Sequence, residues 1–305
     1  MIPKLEKKLQ SIPVLGRLVS FLKKIRLGKH PFSLYDLIEL YVVGIAEGAV
    51  TYRASAISYS FFVAIFPFLL FVLNLIPYVP IEDFQQDFWI FLDGLLPPGT
   101  NEFFADIFFD IANKRRAGLL SSVFLLSIFL MTNGVVAIFG GFEYSYHVKN
   151  PRNMFRQYFV ALGVTIILAL LLLFVVILFL AYGVYVVPYM EKTGIFRSSE
   201  SLLWWSKVGA VFLISYFATS FLYYFGTKDG KKNRFFSVGS LFTTLLFGLT
   251  TYLFGLYIEN FSQYNQLYGS IGALLIFLFY TWLNSNILLL GFELNATLLR
   301  LKKTS

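Results

Sequence analysis

The sequence contains no cysteine and few charged residues. Charged side chains make up only 14% of its 305 residues, whereas apolar side chains make up 57%. The absence of cysteine excludes disulfides and thiolate metal sites. A soluble domain usually carries about 25% charged residues, which cover its surface. The shortage of charge therefore predicts an integral membrane protein.

Catalytic signatures are also missing. There are only two histidines, His30 and His147, and no His-Glu-x-x-His motif or phosphate-binding glycine loop followed by Lys-Ser/Thr. A nuclease would need clustered acids or a histidine pair facing the cytoplasm, but the acids concentrate at 77–118, predicted below to be external. The predicted spans also lack the serine–histidine or paired aspartates of an intramembrane protease. We therefore expect no enzyme, cofactor, metal site or nucleic-acid partner.

Six nearly uncharged windows are present, each long enough to cross a bilayer as a helix, which takes about 20 residues. They lie at approximately 54–76, 119–140, 158–187, 202–225, 235–257 and 269–292. These runs are much longer than the roughly 10-residue alternating strands of an outer-membrane barrel. The predicted fold class is an all-α polytopic membrane protein, a bundle of six transmembrane helices with amphipathic interfacial helices.

The net charge of +8 follows this topology, because basic residues cluster at every second connection. By the positive-inside rule, both termini are cytoplasmic. The predicted organisation is a basic cytoplasmic tail at 1–33, a six-span membrane domain at 34–300 and a cytoplasmic tail at 301–305. The acidic loop at 77–118 is then external. The basic tail either lies on anionic lipid head groups of the cytoplasmic leaflet or serves only as a topology signal.

Two regions outside the spans have apolar residues at helical spacing. Residues 34–51 predict an interfacial helix that leads into the first span. The loop at 77–118 carries two aromatic stripes, which predict helices that either form a lid or pack against the bundle and outer leaflet.

A polar stripe runs along the first predicted span. Arg53, Ser60, Pro67 and Asn74 recur every seven residues, so they share one helix face. Pro67 frees a backbone carbonyl and predicts a kink. Such a face either lines a substrate path or bonds the helix to its neighbours, and the pattern leaves both functions open.

Further polar candidates lie in the second and sixth predicted spans. They are Asn133, Glu143, Asn284, Asn286 and Glu293. Because Arg53, Glu143 and Glu293 fall at similar depth, we expect Arg53 to pair with one carboxylate, unless each acid faces interfacial water alone. Asn284 and Asn286 project to nearly opposite sides of the helix, which predicts that protein or a wet cavity surrounds its inner half.

Small residues predict where helices pack closely. The positions are Ser240, Thr244, Gly248 and Gly255 in the fifth span, and Gly269 and Gly272 in the sixth. The stripe in the fifth span predicts that this helix is central in the bundle.

Three segments resemble the signature regions of the YihY/virulence factor BrkB family. They are YRASAISYSFFVAIFPFLL (52–70), GVVAIFGGFEYSYHVKNPRNMFRQYFVALG (134–163) and YNQLYGSIGALLIFLFYTWLNSNILLLGFELNA (264–296). The resemblance implies six cytoplasmic-membrane helices and a role in transport or lipid movement. Members have been labelled ribonuclease BN, and the missing nuclease chemistry agrees with treating that label as a mistaken carry-over.

The resemblance also marks individual residues. They are Arg53, Pro67, Gly141, Lys149, Pro151, Arg152, Tyr264, Tyr268, Gly269, Gly272, Gly291, Glu293 and Asn295. This chain departs from the family pattern at Glu143, where a smaller polar residue is common, and in the polarity of Asn284 and Asn286. We expect a transporter, or a lipid or envelope-precursor translocator, that acts on a small solute or a lipid. The alternative is a non-catalytic membrane scaffold or envelope-assembly factor.

Overall fold

The computed structural model describes residues 21, 23–25, 33–75, 86, 89–90, 105, 108–109, 117–148, 151–181, 199–260 and 270–304. The helices with described bounds are α1 (Leu34–Glu47), α2 (Val50–Leu75), α3 (Ala117–Glu143), α4 (Met154–Ala181), α5 (Ser199–Gly226), α6 (Val238–Asn260) and α7 (Ser270–Thr304). A single 3₁₀ turn, Gly230–Lys232, lies between α5 and α6. The predicted all-α fold is confirmed, and the six predicted windows correspond to α2–α7.

Five helices, α3–α7, are long and apolar enough to cross a bilayer. The pair α1 and α2, bent by 61° at their junction, provides a sixth crossing when it is counted as one span. The chain is therefore a multi-pass membrane protein. One end of the bundle contains the α1–α2 junction, the end of α3, the start of α4, the α5–α6 turn and the end of α7. We call it the basic end, because Arg53, Arg152, Lys228 and Arg300 lie there.

Helix α7 is longer than predicted. It continues unbroken for 35 residues, through the positions assigned to a C-terminal tail. At 1.5 Å per residue it is about 52 Å long, which exceeds the roughly 30 Å hydrocarbon core. Its last turns remain helical because Leu301 is buried and Arg300 contacts His147.

Both ends of α1 are sharply defined, including its junction with α2. Ser33 caps α1 through a reciprocal capping box, in which its hydroxyl accepts from the Asp36 N–H and the Asp36 carboxylate accepts from the Ser33 N–H. The helix stops at Gly48, and Ala49 follows with φ 45°, in the left-handed region that L residues rarely adopt. The bend is therefore strained at a single residue.

Helix α1 lies against α7, as well as presenting an apolar outer face. The Tyr41 hydroxyl donates to the backbone carbonyl of Leu290, 3.1 Å away. Ile38 and Val42, about 60° and 100° around the helix from Tyr41, are exposed. The predicted helix at 34–51 is thus present, and it packs on the bundle with one of its faces.

Helix α7 contacts four other helices, α1, α2, α3 and α6. The fifth predicted span, α6, was expected at the centre, and this prediction is wrong. Bulky apolar side chains of α6 lie on several sides of the helix, and Leu245, Leu249 and Tyr252 among them are exposed. The core of the bundle lies at the basic end, where the rings of Phe142 and Phe292 stack with centroids 4.3 Å apart.

The predicted small-residue stripe packs only in its first half. Ser240 and Thr244 are buried, with the Thr244 hydroxyl 3.5 Å from that of Thr219 on α5. The predicted packing roles of Gly248 and Gly255 are wrong, since both are exposed and an added Cβ would meet nothing within 4 Å. Beyond Thr244, α6 instead contacts α7 through Phe254, which projects about 100–120° away from both glycines.

Several predicted features lie outside the described residues. They are most of the tail at 1–33 and of the loop at 77–118, the side chain of Asn74, and Lys149, Tyr264, Tyr268 and Gly269. Among the few described loop residues, Trp89 lies against Phe108, with ring centroids 5.1 Å apart. This contact joins two segments of the loop to each other.

Candidate functional site

A buried ion pair joins the first and last membrane helices at the basic end. Arg53 Nη2 lies 2.6 Å from Glu293 Oε1, and the two side chains are only 6% and 0% exposed. The other carboxylate oxygen accepts from the Ser145 hydroxyl at 2.8 Å, and Arg53 Nη1 donates to the Gly141 carbonyl at 2.5 Å. The expected pairing of Arg53 with a carboxylate is confirmed for Glu293, whereas Glu143 takes no part.

The end of α1 covers this ion pair. A Cβ added to Gly44 would lie 2.6 Å from His147 Nε2 and 3.2 Å from Glu293 Oε2, and one added to Gly48 would lie 2.8 Å from Arg53 Nη2. Only glycine allows the last turn of α1 to approach so closely. The Gly-x-x-x-Gly spacing of these residues is the sequence signal that could have revealed the contact.

His147 extends the polar cluster toward the end of α7. Its Nε2 lies 3.1 Å from the Thr297 hydroxyl and its Nδ1 lies 3.2 Å from Arg300 Nη1. Since a guanidinium can only donate, Nδ1 must accept, so the ring is neutral and carries its proton on Nε2. Burial and the charge of Arg300 lower the pKa of His147 to about 4, against the opposing effect of a hydrogen bond with the Leu40 backbone.

We expect acid to destabilise this network. The pKa of His147 is about 4 in the folded protein and about 6.5 in an unfolded chain, so the unfolded state binds more protons between these values. The stabilisation is complete above pH 6.5 and is lost as the pH falls toward 4. Between pH 7.5 and pH 5, the melting temperature in detergent should fall less for His147→Gln than for the wild type. Equal falls would contradict the assignment.

A second polar contact ties α3, α4 and α5 together. The Glu143 carboxylate accepts from the backbone N–H of Arg152 at 3.0 Å. The guanidinium of Arg152 donates to the carbonyls of Phe225 and Thr227, at the end of α5. Glu143 therefore helps to fix the loop that precedes α4.

A third contact joins α5, α6 and α7. The Tyr223 hydroxyl donates to the Leu288 carbonyl at 2.7 Å and accepts from Thr243 at 2.5 Å. Asn295, marked by the family resemblance, accepts from the Gly239 N–H at 2.8 Å and donates to Ser237 at the start of α6. No pattern in the sequence marked Tyr223 or Thr243 as members of this long-range contact.

The remaining predicted site residues are dispersed. Pro67 and Ser60 face α3, where Ser127 donates to the Pro67 carbonyl at 2.5 Å. Asn133 is partly exposed on α3. Asn284 and Asn286 donate to carbonyls one turn back on their own helix, at 2.9 and 2.8 Å. The inference that their amide groups need neighbouring protein or water overlooked this local bond. Of the predicted polar path, the structure brings together Arg53 and Glu293.

Within the described ranges, no group of three or more acidic, histidine or cysteine side chains is placed to hold a metal ion. Of the described residues marked by resemblance, Gly141, Arg152, Gly291, Glu293 and Asn295 lie at the basic end, whereas Pro67 and Gly272 lie away from it.

Comparison with known proteins agrees with this architecture. The chain is 26% identical to the putative ribonuclease-like protein YfkH of Bacillus subtilis (strain 168) over 254 residues, which cover 82% of this chain and 90% of that protein. It is 35% identical to the UPF0761 membrane protein PsycPRwf_0630 of Psychrobacter sp. (strain PRwf-1) over 77 residues, which cover 25% of this chain and 14% of that protein. No solved structure matches. The virulence factor BrkB model matches residues 42–304, so the chain belongs to the virulence factor BrkB family of multi-pass cell-membrane proteins.

Proposed function

We propose that this protein is a transporter, or a translocator of a lipid or envelope precursor, in which the Arg53–Glu293 ion pair closes the basic end. The single observation that carries this proposal is the complete burial of that pair between the first and last crossings. Ionisable groups inside a membrane bundle are costly and commonly mark the path of a substrate or ion.

The ion pair is a poor choice for stability alone. Removing two charges from water costs several kcal/mol, and apolar side chains of similar volume often stabilise a buried position equally well. The pair is better explained by a second state in which Arg53 and Glu293 separate. Arg53 Nε, which is buried without a hydrogen-bond partner among the described residues, provides one donor for such a rearrangement.

The cover over the pair is suited to movement. Helix α1 is joined to α2 through the strained residue Ala49, and its last turn rests on the pair through Gly44 and Gly48. A rotation at Ala49 would relieve the left-handed strain and uncover Glu293. In this mechanism α1 opens the basic end, and a solute or head group exchanges with Arg53 for the carboxylate.

Flux through reconstituted liposomes tests the proposal. We expect wild-type protein to move labelled lipids or small ions faster than empty vesicles do. The double variant Arg53→Met/Glu293→Met, which keeps similar bulk without charge, should lose this flux. Gly248→Ala, at an exposed position far from the pair, is the matched control. Equal flux from the double variant and wild type would refute a role for the pair.

The second candidate function is a non-catalytic scaffold or envelope-assembly factor. Its support is that polar groups along the predicted path are bonded within the bundle, as Ser127 to Pro67 and Asn286 to Trp282 show. Helix α5 also contains no proline to match Pro67, although inverted-repeat transporters often have paired broken helices. A stable co-purifying partner, together with no flux above empty vesicles, would favour the scaffold.

We further propose that the protein is not an enzyme. Glu293, the most buried acid among the described residues, is held by a guanidinium and a hydroxyl. Because α1 covers it, Glu293 is inaccessible to a polymer such as RNA. We therefore do not propose ribonuclease activity for this chain, although the similar Bacillus protein has a ribonuclease-like name.

A further inference from the structure

We propose that the basic end carries a binding site for an anionic phospholipid, formed by the start of α4 and the turn between α5 and α6. The site would take the phosphate of the head group between Arg156 and Lys228. One acyl chain would lie along the exposed aromatic side chains at the start of α4.

Each of the two cations lies close in sequence to one side of a common anchor, the contact of Arg152 with the end of α5. Arg152 binds the carbonyls of Phe225 and Thr227, which places the start of α4 beside the residue that precedes Lys228. Arg156 lies within electrostatic reach of Arg152, and Lys228 lies within reach of Glu143. Arg156 is one helical turn beyond the anchor. The arrangement is therefore built from two elements and does not depend on a flexible run of basic residues.

Neither cation is neutralised by the protein. Arg156 and Lys228 are exposed, and within the described part of the chain neither forms an ion pair. The neighbouring acids are already engaged, as Glu143 accepts from the Arg152 backbone and Asp229 pairs with Lys232. Two exposed positive charges without an ion-pair partner, next to a fixed anchor, attract a phosphate group.

The apolar part of the site lies directly beside these charges. Met154, Phe155 and Phe159 are 83%, 79% and 69% exposed, the last two one turn apart on the same helix face. The stretch Met154–Leu172 is apolar enough to cross the membrane, so these side chains stand where it enters the bilayer. Aromatic side chains at that depth favour contact with lipid, and cations above them favour an anionic head group. This combination distinguishes a phospholipid from a free anion.

Lipid binding to purified full-length protein in detergent tests the site, with phosphatidylglycerol as probe and phosphatidylcholine as comparison. Each basic residue near an anionic lipid surface strengthens binding roughly fivefold, so losing two should weaken phosphatidylglycerol binding roughly 30-fold. We expect this loss for Arg156→Gln/Lys228→Gln. The matched control, Arg234→Gln/Lys302→Gln, removes the same charge from exposed positions outside the proposed phosphate contact and should bind within about twofold of wild type.

Three outcomes would overturn the proposal. Equal weakening in both double variants would show only a general attraction to positive charge. Unchanged binding in Arg156→Gln/Lys228→Gln would place the lipid elsewhere. Full competition by inorganic phosphate would identify a site for a free anion. Melting temperatures without lipid should agree among the proteins, so that lost binding is not confused with lost folding. A failure of liposome flux leaves this result untouched, because the binding measurement requires no transport.

Discussion

Glu293→Met alone should strongly destabilise the folded protein, whereas Arg53→Met and Glu293→Met together should restore most of the lost stability. The single change leaves the Arg53 guanidinium buried without its carboxylate, which costs about 3–5 kcal/mol. That is a large share of a typical total stability of about 5–15 kcal/mol. The double change removes both charges and fills the same region with apolar side chains, so the unpaired charge no longer exists.

The measurement is a double-mutant cycle on the free energy of unfolding in mixed micelles. Arg53 and Glu293 should show a coupling energy of at least about 1 kcal/mol, since contacting residues deviate from additivity by this order. Arg53 and Glu143 provide the control cycle and should be additive, because the Glu143 carboxylate binds the Arg152 backbone. Strict additivity between Arg53 and Glu293 would contradict the ion pair.

The second large effect is expected at Gly291 of α7. A Cβ at this position would collide with the Thr243 hydroxyl, lie 2.6 Å from the Tyr223 hydroxyl and lie 2.8 Å from the Gly239 carbonyl. All three belong to the contact that joins α5, α6 and α7. Gly291→Ala should therefore destabilise the protein by about 1–3 kcal/mol, the usual range for overpacking a filled core. A fall in melting temperature and in the yield of monodisperse protein would report it.

Gly248→Ala is the matched control for this substitution. It makes the same chemical change in α6, at an exposed position where an added Cβ meets nothing within 4 Å. Alanine favours a helix over glycine by about 0.5–1 kcal/mol, so this variant should be unchanged or slightly more stable. If both glycine variants lost stability equally, the close approach of α6 and α7 at Gly291 would not be the cause.

Much of the fold could be predicted because crossing a membrane is a local demand. Runs of about 20 apolar residues must form helices there, since backbone groups in lipid have no other hydrogen-bond partners. The same reasoning placed Arg53 and Glu293 at one depth. It could not choose between Glu143 and Glu293, because depth alone says nothing about which helices are neighbours.

The roles of several residues were misassigned or missed from the sequence. Gly248 and Gly255 fit a packing pattern, but no helix lies against that side of α6. Asn284 and Asn286 were expected to require external partners, yet they bond to their own backbone. His147 drew attention only as a histidine, and the network around it comes from α1 and α7. The packing of neighbouring helices sets the roles of the glycines and of His147, whereas the two asparagines are satisfied within their own helix.

The sequence by itself determined the membrane class, the positions of the apolar windows and the family. Composition, window length and residue pattern are properties of neighbouring positions, so they can be read directly along the chain. Only the tertiary structure decided that Arg53 pairs with Glu293, 240 residues away, that α1 covers the pair, and that α7 packs against α1, α2, α3 and α6. These depend on the rotation and packing of whole helices, which minimise buried charge and voids over the bundle at once.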